Sequence, residues 1–325
     1  MEKDQETASP APVRSIAPVS GPGSPPAVTP PRGPVLPVCA AIGVMVIWGG
    51  TPLFSKIAAS QIDPVLVGVL RTVLAGCLAL PLAVAMRLRL PSGKREKQLL
   101  AFSGFAAFIA FPLLFTVGQH RTSALHGALI LATLPVFTSL FATVVERRQV
   151  SRGWIAGCLI ALASEAVVIV LRQPGRPGSA TLSGDLIVLG SSLICAMGYV
   201  AGARLAQSGY RSLATTIWGV LLASLLLGPL LIWSLCRSGV PQAGPAAWGS
   251  VLVLAGLTSV LGYVVWYWAL AKGGISRIAS VQFTQPLFGI ILAGVVLGEW
   301  PAPVTALAGV GVLIGARLVL TAGSR

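Results

Sequence analysis

Apolar residues run along this chain in blocks long enough to cross a bilayer, and the breaks between the blocks are short, polar and rich in Pro and Gly. Following each block to the breaker that ends it predicts helices over about residues 36–57, 64–86, 98–118, 122–145, 153–171, 184–206, 212–235, 247–270, 275–297 and 302–321. The main breakers are Asp63-Pro64, the basic run from Pro91 to Lys97, the stretch from Arg172 to Gly178, Pro241 to Pro245, and Glu299-Trp300-Pro301. β-Barrel alternation is absent, which leaves helices as the way to satisfy backbone groups in lipid. So little chain lies outside the blocks that no soluble catalytic domain is expected.

The polar positions inside the blocks carry as much information as the apolar ones. Lys272 to Glu299 is an apolar run that holds Gln282, Thr284, Gln285 and Pro286 near its middle. Polar groups at such depth face other helices or a watered cavity. His120 to Arg147 repeats the pattern. Placing Pro135 on Pro286 also places Thr133 on Thr284 and His126 on Arg277. Gly157 falls on Gly309 with Glu165 on Arg317, and Lys56 falls on Arg204. The hinge near Arg172 to Leu182 divides the predicted helices into five and five, and an odd number per half gives related halves opposite topologies. The expected fold class is therefore an all-α membrane protein, with ten transmembrane helices in two inverted five-helix repeats. Residues 35–172 and 183–321 form the repeats and 173–182 an outside linker, with a disordered Pro-rich tail at 1–34 and a short tail at 322–325.

Composition agrees with a membrane class. Of 325 residues 55% are hydrophobic and 10% charged, with a mean hydropathy of +0.85, against about 25% charged in soluble domains. The net charge of +14 would suit nucleic acid, but the basic residues sit singly or in short loop clusters and are better read as setting orientation. Apart from Lys56, Arg71, Arg121, Arg172, Arg176 and Arg237, the 23 Lys and Arg fall on the side of the N-terminal tail. Both termini are therefore expected to be cytoplasmic, in a bacterial-type inner membrane. The five cysteines lie in or beside separate blocks with no CxxC and read as packing residues. His120 and His126 have no acid or thiol at metal-ligand spacing, and no GxSxG or P-loop appears. The reading is of a non-enzyme without cofactor or metal.

Trp48-Gly49-Gly50 with Phe54 and Lys56, then Pro64, Arg71 and the Pro135 helix, resembles the first repeat of the drug/metabolite transporter superfamily, EamA type. Tyr199 and Arg204, Gln285-Pro286, Leu297-Gly298-Glu299 and a last helix with Gly309 and Gly315 are similar to the second. The resemblance implies two EamA domains, alternating access and a central cavity, with relatives that mostly export amino acids, metabolites or drugs. It also exposes departures. The first repeat has Val145-Glu146 two residues early and without the Gly, and His126 and Glu165 stand where small or apolar residues are usual.

Several residues are candidates for the site. Arg71 costs about 2.5–3.5 kcal/mol to insert at mid-helix and reads either as a binding or gating cation or as a residue paired or snorkelling outward. Glu165 reads as a coupling acid or as an ion-pair partner of Arg71 or Lys56. His126 titrates near neutral pH when unperturbed and reads as a site residue or a packing histidine. Gln282 and Gln285 could contact solute or join helices. Pro135 and Pro286 are hinge candidates. Trp48 and Tyr199 are cavity candidates, while Trp266 and Trp268 suit an interfacial belt. The expected function is secondary active export of a small organic solute across the lipid bilayer, with proton coupling and a homodimer left open. A nutrient importer or exchanger on the same scaffold, and a passive channel or membrane scaffold, are the alternatives.

Overall fold

The computed structural model describes residues 35–146, 149–171, 180–273 and 280–322. The expected tail at 1–34, most of the 173–182 linker and Arg277 lie outside them. Among the described residues eight helical stretches are long and apolar enough to cross a membrane: Val35–Ala59, Pro64–Ala85, Lys94–His120, Ala124–Val145, Arg152–Val170, Leu182–Ala206, Ser212–Ser238 and Pro245–Trp266. They are called here the first to eighth spans. Two shorter apolar helices follow, Gln285–Leu297 and Pro303–Val319. The regular structure among the described residues is helical, without strands.

Side-chain caps fix where many of these helices begin. Asp63 accepts from Leu66 N at 3.0 Å, Ser123 from His126 N, Ser151 from Trp154 N and Thr181 from Gly184 N, the last three at 3.1 Å. Each supplies an acceptor to an N–H that has no partner within its helix. The third span begins at Lys94, four residues before the apolar block expected at 98. Its first turn is charged, and Glu96 turns back to the Gly93 N–H at 3.3 Å. A hydropathy boundary does not register a polar first turn.

Four of the spans are built from pieces. The first breaks at Gly50, between Val35–Gly49 and Thr51–Ala59. The fourth breaks at Ala132 and Thr133, between Ala124–Leu131 and Leu134–Glu146. The third and eighth contain π-helical segments, Ala106–Ala110 and Val253–Leu261. A π segment frees carbonyls from the ordinary ladder, and the second span supplies groups to both. Thr72 Oγ1 donates to the Phe108 carbonyl at 2.8 Å, and Arg71 reaches Ser259 and Thr258. Two consecutive residues of one helix thus hold the irregular turns of two others.

The proline helices share one device. Leu134–Glu146 and Gln285–Leu297 each carry their proline in the first turn, where no backbone N–H is needed. Thr133 Oγ1 donates to Ile130 O at 2.6 Å, and Thr284 Oγ1 to Val281 O at 2.8 Å, each three residues back. Before Gln285 the backbone is a 3-10 turn, Ser280–Thr284. Pro135 and Pro286 therefore start helices after a break rather than bending continuous ones.

The fifth span lies along the Pro303 helix. A Cβ on Gly157 would come 2.8 Å from Gly315 O, and one on Gly315 would come 2.4 Å from Ala161 N. Only hydrogen at these positions lets the backbones approach so closely.

Candidate functional site

Arg71 is the centre of a buried polar region. Its side chain is 4% exposed, so it does not snorkel to the interface. Nε donates to Ser259 Oγ at 3.1 Å and Nη2 to Thr258 Oγ1 at 3.3 Å. Cζ stands 5.9 Å from the centre of the Phe111 ring, a cation–π distance. Nη1 has no hydrogen-bond partner among the described residues. A buried guanidinium with an unmet donor is costly unless something else completes it.

Aromatic rings wall the space around it. Trp48 donates from Nε1 to the Thr258 carbonyl at 3.0 Å and lies 5.0 Å from Tyr263 and 5.5 Å from Trp266, centre to centre. Tyr199 and Tyr263 share a hydroxyl contact at 3.1 Å. Trp266, expected in an interfacial belt, is instead buried, its ring packed against Trp48. Trp268 is 40% exposed.

A cavity of about 30 Å³ lies among Trp48, Arg71, Phe111, Tyr199, Tyr263 and Gln285. A second, of about 10 Å³, lies beside Pro135, Gln282, Pro286 and Leu313. Leu131 and Gln285 border both. The larger holds about one water; any solute requires the surrounding helices to separate. A larger cavity, about 400 Å³, lies elsewhere, in the connections at Arg87, Arg89, Tyr210 and Arg211. Burial, with Glu96 nearby, pushes the Tyr210 phenol up to about 12, so it remains a donor to the Arg89 carbonyl at 2.7 Å. We place the candidate site at Arg71 despite the smaller volume, because buried polar groups and aromatic rings from both ends of the sequence converge there.

The structure brings together Trp48, Arg71, Tyr199 and Gln285, with Gln282 in the adjoining cavity. It does not bring His126 or Glu165 to them. His126, placed among the solute contacts by sequence, makes a buried contact with Asp185, Nδ1 to Oδ2 at 3.1 Å. Thr122 Oγ1 donates to the other Asp185 oxygen. Glu165 is 2% exposed, and neither of its oxygens has a hydrogen-bond partner among the described residues. It pairs with neither Arg71 nor Lys56: Arg71 is held by Thr258 and Ser259, while Lys56 donates to the Thr122 carbonyl.

Sequence reasoning missed Thr258, Ser259 and Asp185 altogether. The adjacent Thr258 and Ser259 in an apolar block were a legible signal of the same kind as Gln282 and Gln285. Asp185 reads as a first-turn acid at a helix start, which is a common and uninformative place for one.

A model of the EamA-like transporter family matches residues 35–170 and again 182–321. The chain is 31% identical over 264 residues to an uncharacterized transporter, YdeK, of Bacillus subtilis, covering 79% of this chain and 87% of that protein. It is 25% identical over 268 residues to a probable amino-acid metabolite efflux pump of Salmonella typhimurium, covering 80% and 86%. It is also 25% identical over 225 residues to a probable terminal-alkyne amino-acid exporter of Streptantibioticus cattleyicolor, covering 69% and 73%. A solved crystal structure shares the fold with a TM-score of 0.60 at 18% identity, over 88% of this chain and 97% of that one.

Proposed function

Because the chain belongs to the EamA-like transporter family, we propose that it exports a small organic solute bearing a carboxylate, by alternating access around Arg71. The observation that carries this reading is the buried Arg71 guanidinium, which lines an aromatic-walled cavity that Gln285 also borders and whose Nη1 has no hydrogen-bond partner among the described residues. A carboxylate supplies the acceptor that Nη1 lacks, with the strength of a charge-assisted bond, and the rings accept an apolar substituent. The names of two relatives, an amino-acid exporter and an amino-acid metabolite efflux pump, support the same solute class.

The two family matches and the paired features of the halves support a ten-helix arrangement of inverted repeats. The paired features are the proline breaks after Thr133 and Thr284 and the π segments of the third and eighth spans. The membrane is a bacterial-type plasma membrane and both termini are cytoplasmic in this reading, which rests on the distribution of Lys and Arg. No nucleotide-binding motif was found, so the energy comes from a gradient.

Counterflow in proteoliposomes tests it. Vesicles preloaded with L-phenylalanine are expected to take up labelled L-phenylalanine saturably, and to discriminate against L-phenylalaninamide, which lacks the carboxylate. Arg71→Gln is expected to remove the exchange. Linear, unsaturable flux would instead make the protein a channel. Equal exchange of acid and amide would remove Arg71 from solute recognition.

A further inference from the structure

Glu165 is the one acidic side chain among the described residues that is buried with both oxygens unpartnered. It lies between two apolar clusters. One turn to either side, Ala161 packs with Trp154 and Val319, and Val168 packs with Leu125, Leu129 and Ala308. Burying a carboxylate in such surroundings is far more costly than burying the neutral acid.

The fifth span packs on the fourth and sixth spans and on the Pro303 helix. Their charged and titratable side chains are His126 and Glu146 on the fourth, Asp185, Cys195, Tyr199 and Arg204 on the sixth, and Arg317 on the last helix. Among the described residues Asp185 is the charged group that acts on Glu165, and Val168, one turn from Glu165, packs with Leu125 beside His126. Asp185 is itself fully buried and engaged with His126 and Thr122.

That contact crosses between the two family matches, since His126 belongs to the first and Asp185 to the second. The segment carrying it is tied on several sides. Lys56 donates to Thr122 O, Gln119 Nε2 to Ser123 O at 2.8 Å, Thr181 Oγ1 to Arg121 O at 2.6 Å, and the Leu125 N–H to Glu299 Oε2 at 2.9 Å. His120 Nδ1 lies 2.8 Å from Ala59 O. The end of the bundle that holds these contacts is thus tied together by a hub at residues 119–126, and the contacts of His126 and Thr122 with Asp185 are buried between the halves.

We propose that Glu165, His126 and Asp185 form a proton-binding site in the seam between the halves, with Glu165 carrying the proton and the His126–Asp185 contact serving as the latch that it controls. When this end is open and wet, the Glu165 carboxylate takes one proton from that water. Closure buries the neutral acid and leaves Asp185 free to engage His126. Opening returns the proton to water, and an ionised Glu165 then repels Asp185. Closing therefore takes up one proton, and lower pH favours the closed end. A one-proton linkage changes the closed-to-open ratio by up to about tenfold per pH unit. The use of this proton in transport rests on the function proposed above; the site itself does not.

Infrared spectroscopy of the full-length protein in lipid bilayers tests the site without any solute. At neutral pH a protonated-carboxyl band is expected that moves when glutamate is labelled with carbon-13, and Glu165→Gln is expected to remove it. Arg71→Gln should leave the band in place, which separates failure of the solute reading from failure of this one. In L-phenylalanine counterflow, the pH profile of the wild type is expected to flatten in Glu165→Gln. If Glu165→Gln does not fold, His126→Gln must shift the pH at which the glutamate band is lost. Absence of a glutamate band, or a band and pH profile indifferent to these variants, would overturn the proposal.

Discussion

Arg71 and Glu165 are both buried ionisable side chains of one helical bundle, yet the protein treats them differently. Arg71 is met by two hydroxyls and a ring, and keeps one donor beside a cavity. Glu165 is met by apolar side chains, with Asp185 within electrostatic reach. The first environment suits an exchangeable anionic partner that arrives from solution. The second suits a group that changes its own charge. The difference separates a place for a solute from a place for a proton, and it can be broken at either end.

The largest effect is expected at the latch. Asp185→Ala leaves the His126 ring and the Thr122 hydroxyl buried without their acceptor and should lower unfolding stability by about 3 kcal/mol, measured by chemical unfolding in detergent. Stability unchanged within error would show that the contact holds nothing. Arg71→Gln should weaken binding of a carboxylate solute by about 10- to 100-fold, the worth of a charged hydrogen bond, as read by titration calorimetry. Arg71→Lys would not restore it if the planar fork is what the site uses.

Smaller effects sharpen the contrast. Thr72→Val takes the donor from the Phe108 carbonyl at the π segment and should destabilise by about 1–2 kcal/mol, with a matching loss of solute affinity if the third span shapes the cavity. Glu165→Gln should change stability at neutral pH by about 1 kcal/mol or less, because the side chain has no hydrogen bond to lose. A loss as large as that of Asp185→Ala would mean that Glu165 is a structural partner after all.

Much of the fold was legible because bilayers impose length. Each expected block from 36–57 through 247–270 coincides with a span, apart from ends such as Lys94, where a charged turn extends the helix beyond its apolar part. The paired Thr133-Leu134-Pro135 and Thr284-Gln285-Pro286 were legible too, since a proline requires a break that a nearby hydroxyl can satisfy. Trp48, Arg71, Tyr199 and Gln285 could be singled out as polar or aromatic residues at mid-helix. Their convergence could not. It goes with the π segments at Ala106–Ala110 and Val253–Leu261, where an extra residue in a turn changes which residues face inward, and hydropathy carries no mark of that. His126 was read as a contact of the same cavity, and its partner turned out to lie in the other half.

The sequence by itself determined the class, the first eight spans and the family, because each follows from local chemistry: apolar length, breakers and short motifs. Tertiary structure alone decided which polar residues meet. Whether a buried guanidinium or carboxyl finds a partner depends on helices far apart in the chain, as with Arg71 and Ser259 or His126 and Asp185. Those distances are set by packing, which no single stretch of sequence encodes.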